Sequence, residues 1–269
     1  MTIREALLMG RRKPRVRGTG GTIARAGGGF EFAEVREYAS GDDPRRIDWA
    51  ASARTGTMQT RLYLDEHALV FAAIVDESAS MRVGRARRLR DAASDALDAW
   101  YAQAQHDDRA LRITGDVVTV AGDGRGAHRH ARASEPQRDA STIAREVRIA
   151  AHALPRASAL LVISDFLEID ELDDAVLLRC GARFDATALI ARDPWYDGLP
   201  LAGFVRLRDV ESGAVRPYFI DRAGRARYRA SVRTRESAAV ERFARAGWRT
   251  GILHEADGRE SLRAAFGLA

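Results

Sequence analysis

The sequence predicts an α/β fold, in which a doubly wound, mostly parallel sheet is preceded by a small N-terminal extended block. Residues 69–75 and 159–163 are apolar runs with the composition of strands buried on both faces. Segments with helical spacing of apolar residues separate these and later strands, which is the pattern of a parallel sheet covered by helices. The fold class expected is therefore that of Rossmann-like and related doubly wound domains.

The composition is that of an ordinary globular protein, with 46% hydrophobic and 30% charged residues in a chain of 269. No apolar run approaches the roughly 20 residues that cross a bilayer, and the first residues lack the order of a signal peptide. The single cysteine, Cys180, excludes an intrachain disulfide framework and fits a reducing compartment. We therefore expect a cytoplasmic protein.

The formal net charge of +5 does not by itself indicate a nucleic-acid surface, because arginines are spread over the whole chain. The exception is a basic cluster within residues 11–17. That cluster fits either a solvated tail or an arm that binds phosphate or a partner.

The N-terminal part divides into two predicted regions. Residues 1–28 are basic and then glycine-rich, so a flexible or irregular lead-in is expected. Residues 29–68 alternate short strand-like pieces with turn signals, of which Gly41 to Pro44 is the strongest. This pattern predicts a small, mainly extended block, and residues 69–269 are predicted to form the main domain.

Within the main domain, strands and helices alternate. After the strand at 69–75, the sequence predicts helices at 81–105, 142–154 and 228–246, strands at 184–190 and 249–253, and hairpins at 110–120 and 205–220. Residues 121–140 are predicted to be a long surface loop. A further helix is expected to begin within the acidic segment 168–174 and to end at Gly181.

Oxygen-bearing side chains follow the two apolar strands. Asp76, Ser78 and Ser80 come after the first strand, and Asp165 comes after the second. If these strands are neighbours, both carboxylates emerge at the carboxyl edge of the sheet, and the helix beginning near Thr142 adds a third hydroxyl. Such donors suit a hard divalent cation, Mg²⁺ or else Mn²⁺ or Ca²⁺, with Ser141 as the alternative to Thr142.

Two sets of residues carry a family resemblance. The Asp-x-Ser-x-Ser pattern with Thr142 and Asp165 resembles the metal-ion-dependent adhesion site (MIDAS) of von Willebrand factor A domains, from residue 69 to the C-terminus. The block around Gly41-Asp42-Asp43-Pro44-Arg45-Arg46-Ile47-Asp48-Trp49 resembles the signature of domain of unknown function 58 (DUF58). Proteins of that family join such a block to a von Willebrand A-like domain and commonly partner MoxR-type AAA+ ATPases.

The resemblance implies a binding role and no catalysis. The serines, and often the threonine, would contact the ion directly, the aspartates would act through waters, and one position would stay open for a carboxylate of a partner. The chain would then be an adaptor or co-chaperone of a MoxR-like ATPase in the assembly or activation of a client complex. The charged residues of the signature are expected to form an ion-paired scaffold that pins the extended block to the domain, with catalysis as the alternative, and Trp49 is expected to pack in the core. These structural or partner-binding signature residues are Arg36, Asp42, Asp43, Arg45, Arg46, Asp48, Trp49 and Arg54.

Three other interpretations compete with this one. Ser80 could simply cap the helix that follows, although capping requires neither Asp76 nor Ser78. Asp76 could be the nucleophile of a Mg²⁺-dependent phosphate-handling enzyme, but Ser78 stands where a second aspartate would act as general acid. The basic cluster at residues 11–17 could bind nucleic acid, which a steep salt dependence of binding would reveal.

Overall fold

The computed structural model describes residues 1–12, 32–39, 42, 44–63, 69–105, 108–123, 142–196, 203–210 and 213–268. The chain forms two compact units, one made of Met1–Arg12 with Leu69–Ala269 and the other of Lys13–Ala68. The chain enters the larger unit for the second time at Leu69.

The strands, in chain order, are β1 (Phe32–Glu37), β2 (Gln59–Tyr63), β3 (Val70–Val75), β4 (Arg109–Thr114), β5 (Val117–Asp123), β6 (Ala159–Ser164), β7 (Asp185–Ala191), β8 (Gly203–Arg208), β9 (Val215–Ile220) and β10 (Arg249–Leu253). The α-helices are α1 (Ile3–Arg12), α2 (Trp49–Thr55), α3 (Leu89–Tyr101), α4 (Ile143–Ala153), α5 (Asp174–Arg183), α6 (Arg222–Arg245) and α7 (Gly258–Ala265).

The larger unit is built on a six-stranded sheet with the order β10-β7-β6-β3-β4-β5. All neighbouring pairs are parallel except β4 and β5, which form an antiparallel hairpin. The chain runs from β3 to β4 on one side and later places β6 on the other side of β3, so the strand order reverses at the β3/β6 boundary. The predicted doubly wound, mostly parallel α/β fold is confirmed.

Strand β3 supplies both hydrophobic cores. Phe71 and Ala73 pack on one face of the sheet in a core with residues of α1, α3 and α7. Val70, Ala72 and Ile74 lie in the other core, with residues of α4, α5 and α6. Because successive side chains of a strand point to opposite faces, an unbroken apolar run is what a strand covered on both faces requires.

The start of the chain differs from its prediction. Residues 1–12 do not form a flexible lead-in, because Ile3 begins helix α1 and both Ile3 and Leu7 are buried in the core. These side chains lie four positions apart on one helix face, which is enough to anchor a short helix. The basic and glycine-rich segment from 13 to 31 lies outside the described residues.

Two predicted helix boundaries are wrong, and a glycine explains each of them. The helix predicted from residue 81 begins at Leu89, after a 3₁₀ turn at Ala79–Arg82, and Gly84 lies between them where a Cβ would be 1.8 Å from the Arg87 carbonyl oxygen. Gly181 does not end α5, which continues to Arg183. It lies inside the helix because a Cβ there would be 1.9 Å from the Ala246 carbonyl oxygen.

Other elements agree with expectation. Both predicted hairpins are present, as β4–β5 and β8–β9, and the strands β7 and β10 occur where predicted. Helix α6 begins earlier than predicted, at Arg222, because Asp221 caps it by accepting a hydrogen bond from the Gly224 N–H at 2.5 Å. Most of the predicted loop at 121–140 lies outside the described residues.

The smaller unit pairs β1 and β2 in antiparallel register and also contains helix α2, which the expectation of a mainly extended block did not include. In the part of the chain that the structure describes, none of the helices combines the length and apolar composition needed to cross a bilayer.

Candidate metal centre

The carboxyl ends of β3 and β6 lie side by side. Val75 and Ile163 are register partners in the parallel pair, and the Asp76 N–H donates to the Ile163 carbonyl oxygen at 2.8 Å. The two strands therefore deliver Asp76 and Asp165 to the same edge of the sheet, at the point where the strand order reverses. The predicted adjacency of the two strands is confirmed.

The Asp76 carboxylate is held by the backbone and by a serine. Its side chain is buried, one oxygen accepts a hydrogen bond from the Ser78 N–H at 2.9 Å, and the other accepts one from the Ser164 hydroxyl at 2.5 Å. The Ser164 oxygen in turn accepts from the Phe166 N–H at 2.9 Å. This chain of contacts fixes the carboxylate in one orientation, between Ser78 and Ser164.

The two predicted serines face each other. The Ser78 and Ser80 hydroxyl oxygens are 2.9 Å apart, at the start of the 3₁₀ turn Ala79–Arg82. Adjacent ligand oxygens of an octahedral Mg²⁺ with bonds of about 2.1 Å lie about 3 Å apart. The hydroxyls therefore already have the separation that they would need as neighbouring ligands of one ion.

Asp165 completes the group of four. Burial raises the pKa of its carboxyl above the usual value, a hydrogen bond from the Ser80 hydroxyl opposes that rise, and the negative charge of Asp76 adds to it. Asp165 also accepts a hydrogen bond from the Leu167 N–H at 3.1 Å. Two carboxylates in a desolvated corner repel each other, and a cation between them would remove that repulsion.

A small cavity opens beside this group, with a volume of about 20 Å³. This space is enough for one water molecule or one ion of similar size. Its walls include Ser78, Ser80 and Asp165, and the remaining lining residues are Ile143, Ala144, Ser164, Phe166, Leu167, Glu168, Glu171 and Leu172.

Thr142 has a different partner from the one expected. It is the N-cap residue of α4, and its hydroxyl donates to a carboxylate oxygen of the buried Glu146 at 2.7 Å. The next two residues, Ile143 and Ala144, line the cavity. Thr142 therefore lies near the site, while its hydroxyl is bonded to Glu146. Its role as an ion ligand stays a prediction, and Ser141 lies outside the described residues.

Sequence reasoning missed three contributors. Ser164 orients Asp76, Glu171 lines the cavity, and the positive charge of Arg235 on α6 opposes the rise in the pKa of Asp165 that burial causes. Ser164 could have been found from the strand pattern, since a hydroxyl directly before Asp165 at the end of an apolar strand is placed at the same edge. Arg235 gave no such signal, because it comes from a distant helix.

The donors fit a hard cation. Two carboxylates and two hydroxyls offer only oxygen atoms, which Mg²⁺, Mn²⁺ and Ca²⁺ prefer. Among the described residues, no three histidine, cysteine, aspartate or glutamate side chains gather in a way that could hold a metal. A site of this kind would therefore depend on its hydroxyls.

The family model for "Protein of unknown function DUF58" matches residues 34–238. The chain belongs to the DUF58 family. This match spans both compact units, so the N-terminal block and most of the α/β sheet come under one family.

Relatives of this DUF58 chain include uncharacterized proteins of Mycobacterium tuberculosis and Mycobacterium bovis, 35% identical over 212 residues. The alignment covers 73% of this chain and 66% of each relative, so the chain spans just under two thirds of their length.

Two solved structures are similar to the DUF58 chain at low identity. One is an aerotolerance-related membrane protein from Bacteroides fragilis, 14% identical, with a TM-score of 0.43, over 74% of this chain and 96% of that one. The other is the conserved hypothetical protein BatB from Bacteroides thetaiotaomicron, 13% identical, with a TM-score of 0.46, over 75% and 98%.

The signature residues of the DUF58 block form local contacts in the smaller unit. Arg36 forms an ion pair with Asp42 at 2.6 Å, and hydrogen bonds from the Ala39 N–H and from Arg36 lower the pKa of Asp42. This ion pair joins two of the signature residues within the smaller unit, and the scaffold that would pin the block to the domain stays a prediction. Asp43 lies outside the described residues, as does the side chain of Arg46.

Asp48 has a double role that the sequence did not reveal. One carboxylate oxygen of Asp48 caps α2 by accepting a hydrogen bond from the Ala51 N–H at 2.9 Å. The other oxygen accepts one from Arg61 Nε at 2.9 Å. Arg61 was not part of the predicted scaffold. The Arg61 contact lowers the pKa of Asp48. The expectation that Trp49 packs in the core is wrong, because Trp49 is the first residue of α2 and 70% of its surface is exposed. Arg54, in the last turn of α2, is also exposed.

Proposed function

We propose that this chain is a non-enzymatic protein-interaction module that depends on a divalent cation. In this proposal it acts in the cytoplasm as an adaptor or co-chaperone of a MoxR-like AAA+ ATPase, in the assembly or activation of a client complex. The larger unit would be a von Willebrand A-like domain, and the ion, Mg²⁺ in the first instance, would be held in a MIDAS-like site.

The observation that carries the proposal is that Ser78, Ser80 and Asp165 line one ion-sized cavity at the switch point of the sheet, with the Asp76 carboxylate held by Ser78 and Ser164 of the same group. Ligands bind at such points in open α/β sheets because the strand connections diverge there and leave a crevice. Thr142 would join as a further ligand by exchanging its hydrogen bond to Glu146 for the ion.

The donor set favours binding of a partner over chemistry. Because hydroxyl ligands are neutral, the ion keeps a net positive charge that an aspartate or glutamate of a partner can neutralise. Mg²⁺ also retains exchangeable waters that such a carboxylate can replace. By contrast, both oxygens of Asp76 accept hydrogen bonds and its side chain is buried, which disfavours its use as a nucleophile.

The first experiment measures cation binding to the full chain by isothermal titration calorimetry with MgCl₂ and MnCl₂. We expect saturable binding to the wild type and its loss in Asp165→Asn and in the double variant Ser78→Ala/Ser80→Ala. Asp170→Asn is the matched control, because this neighbouring acid is fully exposed and should leave binding unchanged. Equal binding by all variants would refute the site.

The second experiment tests the partner. The purified chain is used to capture a MoxR-like ATPase from its native cell, with MgCl₂ or with excess EDTA, and the captured proteins are identified by mass spectrometry. Capture that EDTA or Asp165→Asn abolishes supports the proposal. Capture that survives both would leave an adaptor without a role for the cation, and recovery of no AAA+ ATPase would refute the adaptor function.

A further inference from the structure

The β8–β9 hairpin exposes an apolar pair that the proposed cation site does not use. Phe204 and Phe219 are register partners, with 88% and 61% of their surfaces exposed, and their ring centroids are 4.9 Å apart. Phenylalanines this exposed are costly to solubility, and an exposed apolar group of this kind commonly marks a contact surface.

Arginines continue the same face of the hairpin. In β8, Phe204, Arg206 and Arg208 are the exposed, alternating residues, while the residues between them are partly buried. Opposite the two arginines stand Pro217 and Val215 of β9, both exposed. We call this surface the Phe–Arg face. It is apolar at one end and positively charged at the other.

Within the part of the chain that the structure describes, no ion pair neutralises the positive charge of the Phe–Arg face. Among the residues that the structure describes, no acidic side chain forms an ion pair with Arg206, Arg208 or Arg216, and the closest acid along β8 is Asp209 at its tip. The helix that follows the hairpin carries six arginines between 222 and 235, with Asp221 directly before them and Glu236 directly after them. The local field therefore favours an anionic partner.

The second edge of β8 pairs with none of the described strands. Within the described residues, β8 pairs with β9 and with no other strand. An added extended segment along β8 would place alternate side chains beside Phe204, Arg206 and Arg208, as strand addition does in other recognition domains. The six residues of β8 match a segment about 20 Å long.

We infer that the Phe–Arg face binds an extended, acidic polypeptide segment of a protein partner, with acidic residues at alternate positions and an apolar residue at the phenylalanine end. The ring geometry favours a polypeptide over single-stranded nucleic acid. The two rings are tilted by 55° and pack against each other, so they present one apolar knob and not two open platforms for stacked bases.

The test is a fluorescence anisotropy titration at low ionic strength, in EDTA so that the cation site takes no part. The probes are the labelled peptide Val-Thr-Glu-Thr-Glu-Thr-Val, its counterpart with lysine in place of glutamate, and oligothymidylate. The apolar residue at both ends allows either strand direction. The proteins are the full-length wild type, Arg206→Glu/Arg208→Glu, Phe204→Ser/Phe219→Ser, and Val117→Thr/Val120→Thr as the control, since both valines are exposed on the other hairpin.

We expect saturable binding of the acidic peptide to the wild type and to the control. Charge reversal should weaken it by about tenfold or more and should create binding of the lysine peptide, since two favourable charge contacts become repulsive. The serine variant should weaken binding of the acidic peptide, because it removes the apolar contact and leaves both arginines in place. Absence of acidic-peptide binding to the wild type, undiminished binding after charge reversal, or tighter binding of oligothymidylate that depends on the phenylalanines would each overturn the inference.

Discussion

Arg4 of α1 forms an ion pair with Asp108, a carboxylate with 1% of its side chain exposed, in the turn before β4. The same carboxylate accepts from the Leu69 N–H at 2.6 Å and from the Gln105 N–H at 2.7 Å. Leu69 is the residue at which the chain re-enters the larger unit after the block at 13–68. One buried carboxylate therefore joins the two segments that flank that block.

Removing the arginine should destabilise the larger unit. In Arg4→Ala the Asp108 charge stays buried with amide donors only, and such an uncompensated charge costs about 3 kcal/mol. Urea unfolding measures this loss as a lower midpoint with an unchanged slope. Met9→Ala, an exposed change in the same helix, is the control and should stay within about 0.5 kcal/mol of the wild type. Equal midpoints for both variants would mean that the ion pair is not needed to anchor α1.

The hydroxyls of the candidate metal centre should differ in importance. Ser80→Ala removes an oxygen that already lies in the site, so Mg²⁺ affinity should fall by about tenfold or more. Thr142→Ala should cost less, because that hydroxyl must first leave Glu146. Ser94→Ala, an exposed serine of α3, is the control in the same calorimetric titration. A larger loss for Thr142→Ala than for Ser80→Ala would contradict the geometry described above.

The substitution Gly181→Ala has two opposing effects on the free energy of unfolding. Their magnitudes decide whether the protein is stabilised or destabilised. Alanine in a helix interior gains about 1 kcal/mol over glycine. The added Cβ, however, would be 1.9 Å from the Ala246 carbonyl oxygen, and forced shifts in a packed core cost about 1–3 kcal/mol. We expect net destabilisation, measured by thermal unfolding, with the exposed Arg179→Ala of the same helix as reference. A stabilised variant would show that α5 can move away from Ala246.

The Cys180 thiol should be inert in the native protein. Burial raises its pKa to about 12, so almost no thiolate exists at pH 8, and the sulfur is fully covered by its neighbours. Iodoacetamide followed by mass spectrometry should give no adduct until guanidinium unfolds the chain. In Leu178→Cys, where the wild-type side chain is 54% exposed on the same helix, one adduct should form under native conditions. Native labelling of Cys180 itself would indicate that α5 opens readily.

Local patterns predicted much of the fold. The apolar runs at β3 and β6, the hairpin signals and the helical periodicities are properties of short segments, and the structure confirms them. The helix starting at residue 81 was mispredicted because the turn around Gly84 depends on a close backbone approach that no periodicity encodes. The same holds for Gly181, whose neighbour Ala246 comes from a distant part of the chain.

The candidate site shows the same division. The alternating oxygens of Asp76, Ser78 and Ser80, and the position of Asp165 after a buried strand, can be read from residue order. Their meeting depends on the pairing of β3 with β6, which is a long-range contact. The hydrogen bond of Thr142 to Glu146, the support of Asp76 by Ser164 and the charge of Arg235 were decided by packing.

The sequence by itself determined the class of the fold and the chemical character of its sheet edge, because burial pattern and donor type are set residue by residue. The tertiary structure decided which donors share a cavity and that Trp49 faces solvent. It also decided that Arg4 of α1 forms an ion pair with Asp108. These features depend on distances between residues far apart in the chain, and only the folded backbone fixes such distances.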